Sequence, residues 1–395
     1  MSLNETTSAE RLHIGFFGNR NAGKSSLLNA ITGQSISVVS DTLGTTTDLV
    51  KKSMELFPLG PVVLIDTPGI DDKGALGELR IEKTKEALNQ VHIAVLVADS
   101  EEGLTKTDKE LMEIFKEKDI PYLIAFNKCD LAKQDNESGF SVSAKTKEGI
   151  EELVVAISNI KISKKEKSLL KGIVKSGELV VLVVPIDAAA PKGRLILPQQ
   201  QTIREILDIG ANALVCKETE LEATLSLLKD KPSLVITDSQ VFGVVSKILP
   251  KDIPLTSFSV LFARYKGDLK RLVLGAKQLE NLQNGDKVLI SEGCTHHRQC
   301  GDIGSVKLPQ WIKDFSKKDL VFEFSSGGTF PENLKDYSLI VHCGGCMLND
   351  KQMENRILSA ENQGINITNY GITIAHINGI LKRSIAPFPE ISDLI

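Results

Sequence analysis

The stretch His13–Asn29 reads HIGFFGNRNAGKSSLLN, and it decides the fold class of the first part of the chain. An apolar run, His13–Phe17, leads into a loop that matches the phosphate-binding pattern G-x-x-x-x-G-K-[ST], and a helix-like segment follows. A glycine-rich turn without a ligand is the alternative, but the succession of strand, loop and helix favours a phosphate-binding loop. The stretch therefore predicts a P-loop domain with a parallel sheet wrapped by helices.

Different residues of this P-loop are predicted to contact the phosphates and the magnesium ion. The glycines let backbone N–H groups wrap the phosphates, Lys24 neutralises charge on the β- and γ-phosphates, and Ser25 offers its hydroxyl to Mg²⁺. The predicted nucleotide-binding residues here are Gly18, Asn19, Asn21, Ala22, Gly23, Lys24, Ser25 and Ser26.

Two further segments are placed to contact the magnesium ion and the γ-phosphate. The sequence DTPG closes a predicted strand, where Asp66 can hold Mg²⁺ through water and the Gly69 N–H can sense the γ-phosphate. The sequence GTTT at 44–47 lies where a mobile switch is expected. Thr46 is the predicted Mg²⁺-binding threonine, and its two neighbouring threonines are alternatives.

The base is predicted to be guanine. Asn127, Lys128 and Asp130 close another strand, and the Asp130 carboxylate can accept two hydrogen bonds from the N1–H and N2 amino group of guanine. Adenine lacks that donor pair and would leave a buried carboxylate unpaired. The residues predicted to back the base are Ser143, Ala144 and Lys145.

This ordered set of motifs resembles the TrmE/Era type of GTPase over about the first 160 residues. Many small GTPases orient the attacking water with a glutamine after Asp-x-x-Gly, but Ile70 stands there in this chain. The resemblance implies that Asn21 helps to bind a potassium ion beside the phosphates; the alternative is that Asn21 only braces the loop. Lys24, Thr46, Gly69 and Asn21 are the predicted catalytic residues.

The rest of the chain predicts two smaller α/β domains. The domain boundaries are placed at 1–165, 170–275 and 276–395, with a lysine-rich, solvated linker or helix end at 161–175. The predicted strands are His13–Phe17, Val62–Asp66, Ile93–Asp99 and Tyr122–Asn127, then Glu178–Pro185, Ala213–Cys216, Ser233–Thr237 and Pro254–Ser257, and finally Lys287–Ile290, Leu320–Phe324 and Leu339–His342.

Composition narrows the classes of function. A formal net charge of −4 gives no basic excess for nucleic acid or an acidic membrane surface. The N-terminus has no apolar signal core, and no apolar run reaches the roughly 20 residues that span a bilayer. We therefore expect a cytoplasmic protein that binds neither nucleic acid nor membrane.

Four of the six cysteines fall in one C-terminal stretch, which favours a metal site in a reducing compartment. Cys343 and Cys346 have C-x-x-C spacing, and Cys294 and His296 follow another predicted strand. Loops that leave neighbouring strands at one edge of a sheet can converge. Three cysteines and a histidine suit zinc or an iron-sulfur cluster equally well on chemistry alone.

The whole pattern of domains, with C-x-H followed by H-C-x-x-C, resembles the HydF family of [FeFe]-hydrogenase maturation GTPases. The resemblance implies that Cys294, Cys343 and Cys346 hold a [4Fe-4S] cluster. It implies that His296 or His342 either caps the fourth iron or forms a hydrogen bond near the cluster.

The same resemblance implies a scaffold or carrier for a di-iron precursor, with a homodimer made by the middle domain. The hydrogenase apoprotein and the radical-SAM maturases HydE and HydG are the implied partners. His297 and Cys300 have no counterpart in the motif and are interpreted as a surface histidine and a small core residue. The alternative function is an RNA-modification or ribosome-assembly GTPase that carries a structural zinc.

Overall fold

The computed structural model describes residues 8–33, 49–69, 75–132, 139–162, 168–186, 195–293 and 302–391, with the backbone alone for 75–80. The chain divides into two compact units, Met1–Lys164 and Lys165–Ile395. No helix within the described ranges is long and apolar enough to cross a membrane.

The first unit contains one sheet. Its described elements are β1 (Leu12–Phe17), α1 (Lys24–Thr32), β2 (Val50–Leu56), β3 (Gly60–Asp66), α2 (Ala75–Leu88), β4 (Ile93–Asp99), α3 (Lys106–Glu117), β5 (Tyr122–Asn127), β6 (Phe140–Ser141) and α4 (Ile150–Asn159). In the described part of this unit six strands pair in the order β2-β3-β1-β4-β5-β6. β2 runs antiparallel to β3, and the other pairs are parallel.

The order of the strands fixes where the P-loop lies. After β1 the chain forms β2 and β3 on one side of it, and later β4, β5 and β6 on the other side. The direction in which strands are added to the sheet therefore reverses at β1. Ligands bind at the carboxyl ends of strands at such a reversal point. β1 is buried along its whole length, with Phe16 and Phe17 packing into the cores on opposite faces.

The second unit contains two further parallel sheets. The elements of the middle sheet and its helices are β7 (Leu179–Val183), α5 (Leu197–Asp208), β8 (Asn212–Cys216), α6 (Leu221–Leu227), β9 (Leu234–Thr237), α7 (Phe242–Ile248), β10 (Leu255–Ser257) and α8 (Phe258–Lys266). The elements that follow are α9 (Leu269–Ala276), β11 (Lys287–Ser291), α10 (Leu308–Ser316), β12 (Val321–Ser325), β13 (Leu339–His342), α11 (Asp350–Asn362), β14 (Ile367–Asn369), α12 (Tyr370–Ile377) and α13 (Leu381–Ile385).

Among the described residues, each of these sheets has four strands, in the orders β10-β9-β7-β8 and β12-β11-β13-β14. One apolar core runs through both, and it includes Leu182 of the middle sheet and Ile290 of the C-terminal sheet. The predicted fold class, a P-loop domain followed by two smaller α/β domains, is therefore confirmed.

The lysine-rich segment at 161–175 is less solvated than the sequence predicts. Leu169 and Leu170 are buried in the core of the second unit. The Glu205 side chain accepts hydrogen bonds from both of their backbone N–H groups, at 2.9 Å each. The prediction of a solvated linker or helix end is thus wrong for 169–170, because the two leucines pack into the core, while Lys171 and Lys175 after them are exposed.

Candidate functional site

The P-loop connects β1 to α1 and packs too tightly for side chains at two of its glycines. Gly18 has a φ of 138°, and a Cβ there would lie 2.1 Å from the carbonyl oxygen of Val97. Gly23 has a φ of 85°, and a Cβ there would lie 2.2 Å from Asn127 Nδ2. Glycine is required at both positions on steric and conformational grounds.

Lys24 begins α1 and is buried. Its Nζ donates hydrogen bonds to the carbonyl oxygens of Gly18 at 3.0 Å and Asn19 at 2.7 Å. These contacts hold the ammonium group inside the loop, where a phosphate oxygen would accept stronger, charge-assisted hydrogen bonds from it.

Asn19 uses its side chain for a contact other than the predicted one with the nucleotide. Its Nδ2 donates to Thr105 Oγ1 at 2.8 Å, and Thr105 is the N-cap of α3. Gly18, Asn19 and Ala22 do not line the cavity described below, whereas the other predicted P-loop residues do. Asn19 therefore ties the P-loop to α3.

Ser25 and Asp66 form the predicted magnesium end of the site. The Ser25 hydroxyl donates to Asp66 Oδ2, and Asp66 Oδ1 is buried with no hydrogen-bond donor among the described residues. Burial raises the pKa of the Asp66 carboxyl, although the Ser25 hydrogen bond and the Lys24 charge lower it in part. An orphaned carboxylate oxygen beside a serine hydroxyl suits Mg²⁺, which prefers oxygen ligands.

Asn127 joins the predicted base-binding end to the P-loop. This side chain is only 2% exposed. Its Nδ2 donates to the Ala22 carbonyl at 2.9 Å, and its Oδ1 accepts from the Ala144 N–H at 3.1 Å. The Asn127 amide thereby connects three of the predicted nucleotide segments: the P-loop, residues 127–130 and residues 143–145.

Asp130 is oriented by a neighbour from another loop. Ser143 Oγ donates to Asp130 Oδ1 at 2.7 Å, and Lys145 Nζ lies 4.0 Å from Asp130 Oδ2. Lys128 has a φ of 67° and turns its ammonium group onto Asp99. One carboxylate oxygen of Asp130 is thus held by protein, and the other faces a positive charge.

A cavity of about 780 Å³ opens between these groups, within the usual range for small-molecule sites. The predicted residues that line it are Asn21, Gly23, Lys24, Ser25, Ser26, Asp66, Gly69, Asn127, Lys128, Asp130, Ser143, Ala144 and Lys145. Lining residues that sequence reasoning missed are Arg20, Val50, Thr67, Pro68 and Leu131. A Cβ at Gly69 would lie 2.7 Å from the Arg20 backbone, so this segment rests directly on the P-loop.

Several predicted residues lie outside the described ranges. They are Thr46 with its two neighbouring threonines, and the predicted metal ligands Cys294 and His296. Ile70, His297 and Cys300, which have no predicted ligand role, also lie outside the described ranges. Their roles stay predictions.

The two remaining predicted cysteine ligands, Cys343 and Cys346, lie on what we call the cysteine turn, residues 343–348, which follows β13. The sulfur of Cys343 accepts hydrogen bonds from the backbone N–H groups of Gly293 at 3.0 Å and Gly345 at 3.4 Å. Gly293 follows β11, so the predicted convergence of the two strand ends is present. Burial raises the pKa of the Cys343 thiol to about 11, and those two N–H groups lower it in part.

His342 lies directly before the turn and has partners at both ring nitrogens. Nδ1 lies 2.7 Å from the Cys343 carbonyl oxygen, which can only accept, so Nδ1 carries the proton. Nε2 then accepts from the Arg356 guanidinium at 2.8 Å. Burial, followed by the Arg356 charge, lowers the pKa of His342 to about 3. Both ring nitrogens of His342 are thus engaged in hydrogen bonds, and its role toward a metal stays a prediction.

The cysteine side chains on this turn are of the chemical type that binds an iron-sulfur cluster. Thiolates bind iron, and N–H···S hydrogen bonds of the kind made to Cys343 tune such centres. Within the described ranges no three His, Cys, Asp or Glu side chains are grouped closely enough to hold a metal ion, and Cys294 lies outside them. Among the described residues, Cys343 and Cys346 alone therefore do not complete a metal site.

The fold and the nucleotide pocket define the class: a P-loop protein of the GTPase type whose first domain is joined to two further α/β domains. A profile described as 50S ribosome-binding GTPase matches residues 13–128. The hydrogen maturase F dimerization domain matches residues 169–267, and the hydrogen maturase F tetramerization domain matches residues 270–387. The chain belongs to the hydrogen maturase F family, which confirms the HydF resemblance.

Other relatives match only part of the chain. The tRNA modification GTPase MnmE of Chromobacterium violaceum is 36% identical over 150 residues, which cover 36% of this chain and 33% of that protein. GTPase Der of Nitratidesulfovibrio vulgaris is 34% identical over 137 residues, 33% of this chain and 28% of Der. The chain spans about a third of the length of these curated relatives. A crystal structure of a probable GTP-binding protein engB is 24% identical, covers 37% of this chain and 96% of that one, and has a TM-score of 0.31.

Proposed function

We propose that this protein hydrolyses GTP and acts as a scaffold that carries a [4Fe-4S] cluster and delivers a di-iron precursor during [FeFe]-hydrogenase maturation. The observation that supports this most strongly is the union, in one chain, of a P-loop pocket with a cysteine turn inside the segment matched at 270–387. The alternative of an RNA-modification or ribosome-assembly GTPase accounts for the first unit but not for the two hydrogen maturase F domains.

In the nucleotide site the geometry supports a division of roles. Lys24 neutralises charge on the β- and γ-phosphates. Gly69 packs against the P-loop, and its N–H faces the γ-phosphate. Asp130, held by Ser143, accepts hydrogen bonds from guanine. Ser25 and Asp66, with Thr46, would hold Mg²⁺, which neutralises charge that develops on the phosphates.

Potassium stimulation belongs to the same proposal. The Ile70 side chain has no hydrogen-bonding group that could orient the attacking water molecule. Another group therefore has to stabilise the transition state of GTP hydrolysis. Asn21 lines the cavity in a left-handed conformation, with a φ of 63°. Its amide oxygen is a suitable ligand for a monovalent cation beside the phosphates.

At the other site Cys343 and Cys346, together with Cys294, would hold the cluster through three thiolates. A cluster held in this way leaves one iron available for exchange with another ligand. His342 is engaged by Arg356, so we assign it to the hydrogen-bonding shell, and His296 stays the candidate for the fourth position. A homodimer through 169–267, the hydrogenase apoprotein and the maturases HydE and HydG are the proposed partners.

Iron retention in cysteine variants tests this proposal. Cys343→Ser and Cys346→Ser should each lose most of the iron that anaerobic wild-type protein holds, because a hard hydroxyl replaces a soft thiolate. Cys216→Ser is the matched control, since Cys216 is a buried cysteine at the end of β8. GTP hydrolysis should persist in all three variants. Full iron content in either turn variant would contradict the ligand assignment.

A further inference from the structure

Lys266, the last residue of α8, is a buried lysine outside both predicted sites. Only 3% of its surface is exposed, although lysine is among the residue types least often buried. Burying an ammonium group is costly unless its charge and its hydrogen-bond donors are satisfied. The contacts of Lys266 therefore have to offset the cost of burying its ammonium group.

Three hydrogen bonds join Lys266 to the cysteine turn. Lys266 Nζ donates to the carbonyl oxygens of Gly345 at 3.2 Å, Cys346 at 3.0 Å and Leu348 at 2.8 Å. An ammonium group has three N–H donors, whereas a neutral amine has two and a lone pair that would oppose a carbonyl. Three acceptors around one nitrogen therefore favour the charged form, and the Phe262 ring, 6.0 Å away, adds a favourable cation–π contact.

The lysine and the turn come from different domains. Lys266 lies at the end of the segment that matches the dimerization domain, and the turn lies within the segment that matches the tetramerization domain. About 80 residues separate Lys266 from its acceptors along the chain, so the contact exists only when the second unit is folded. The geometry of the turn is thus held by its neighbour domain.

We propose that Lys266 is a positioning residue for the metal centre. It fixes the backbone of the turn that presents Cys343 and Cys346, and it places a positive charge 3.0 Å from the carbonyl oxygen of Cys346. This inference rests on the proposed function, in which those cysteines bind an iron-sulfur cluster. A nearby positive charge favours the reduced, more negative cluster, because reduction adds an electron to a poorly solvated site.

The test compares variants of the full-length protein reconstituted with iron and sulfide. Lys266→Met removes the charge and the donors but keeps an unbranched side chain, whereas Lys266→Arg keeps the charge. Arg383→Met is the matched control, because Arg383 also donates to several carbonyls, at 246, 249, 250 and 253, none of which belongs to the turn. The readouts are the midpoint potential of the cluster, the rate of iron loss to a chelator and the thermal unfolding temperature.

We expect Lys266→Met to have a more negative midpoint potential and to lose iron about 10 to 100 times faster than wild type, the usual effect of removing a group that supports metal ligands. Lys266→Arg should restore most of the potential. Arg383→Met should lower the unfolding temperature without shifting the potential. Lys266→Gln, also uncharged but still a donor, provides the same comparison of potentials if the Met variant does not fold.

A folded Lys266→Met or Lys266→Gln protein with the potential and iron-loss rate of wild type would overturn the inference. Failure of the proposed function has a different signature, namely zinc instead of iron in the wild type. The rate of zinc loss from the same variants would then decide whether Lys266 holds the turn.

Discussion

Asp130→Asn tests how the nucleotide site recognises its base. Ser143 Oγ donates to one oxygen of Asp130, so in the variant the amide oxygen takes that position and the amide NH₂ faces the base. The amide oxygen can still accept from guanine N1–H, although without its charge, and the NH₂ group opposes the N2 amino group, donor against donor. Xanthine carries a carbonyl at C2, which accepts from the amide.

The size of the effect follows from the bonds that are lost or weakened. Of the two hydrogen bonds to a charged acceptor, one disappears and the other loses the charge of its acceptor, and each contributes about 1.5–3 kcal/mol. Their sum, about 3–6 kcal/mol, is the upper limit and corresponds to an affinity for GTP that is roughly 100 to 10 000 times weaker, since every 1.4 kcal/mol changes an equilibrium constant tenfold.

The change in base preference is measured by letting GTP or xanthosine triphosphate (XTP) displace a fluorescent nucleotide analogue from the site. Wild type should prefer GTP, and Asp130→Asn should prefer XTP. Lys145→Met is a useful control because Lys145 lies 4.0 Å from the same carboxylate and is largely exposed. It should weaken both nucleotides slightly without changing the preference. An Asp130→Asn protein that prefers GTP as strongly as wild type would refute the assignment.

Four further predictions concern the phosphate end of the nucleotide site and the surroundings of the cysteine turn. Lys24→Ala should abolish GTP hydrolysis, measured as phosphate release, and residual turnover near the wild-type rate would contradict its role. Wild type should hydrolyse GTP faster in potassium than in sodium at equal ionic strength, and Asn21→Ala should erase that difference; equal wild-type rates would remove the cation from the mechanism. His342→Ala should retain iron with an altered cluster spectrum, and loss of most of the iron would show that His342 is a ligand. Arg356→Met should lower stability by about 2–6 kcal/mol in denaturant unfolding, because it leaves His342 Nε2 and the Gly327 carbonyl without their donor; an unchanged unfolding midpoint would contradict that contact.

Strands buried on both faces were predictable from sequence because they form continuous apolar runs. The predicted bounds of β4, β5 and β13 match the structure. β2 was missed because its sequence, VKKSMEL, has three consecutive polar residues and so neither a continuous apolar run nor a strict alternation; among the described strands it pairs only with β3, at the edge of the sheet. β14 was missed because it has only three residues, too few to establish a period.

The nucleotide site could be predicted because its chemistry resides in short local motifs. The environment of the cysteine turn could not be predicted, since Lys266 contacts the turn, and Arg356 contacts His342 directly before it, from helices whose sequences contain no recognisable metal motif. Arg356 is 5% exposed and lies on α11, where the sequence indicates only a polar helix residue. Contacts of this kind depend on how helices pack over the sheet, and hydrophobic periodicity says nothing about them.

The composition of the metal centre tests the central claim most directly. Wild-type protein purified without oxygen should contain about four iron atoms per chain and little zinc, and reduction should produce the electron paramagnetic resonance signal of a [4Fe-4S] cluster. Stoichiometric zinc without iron would contradict the account and favour a GTPase with a structural zinc site.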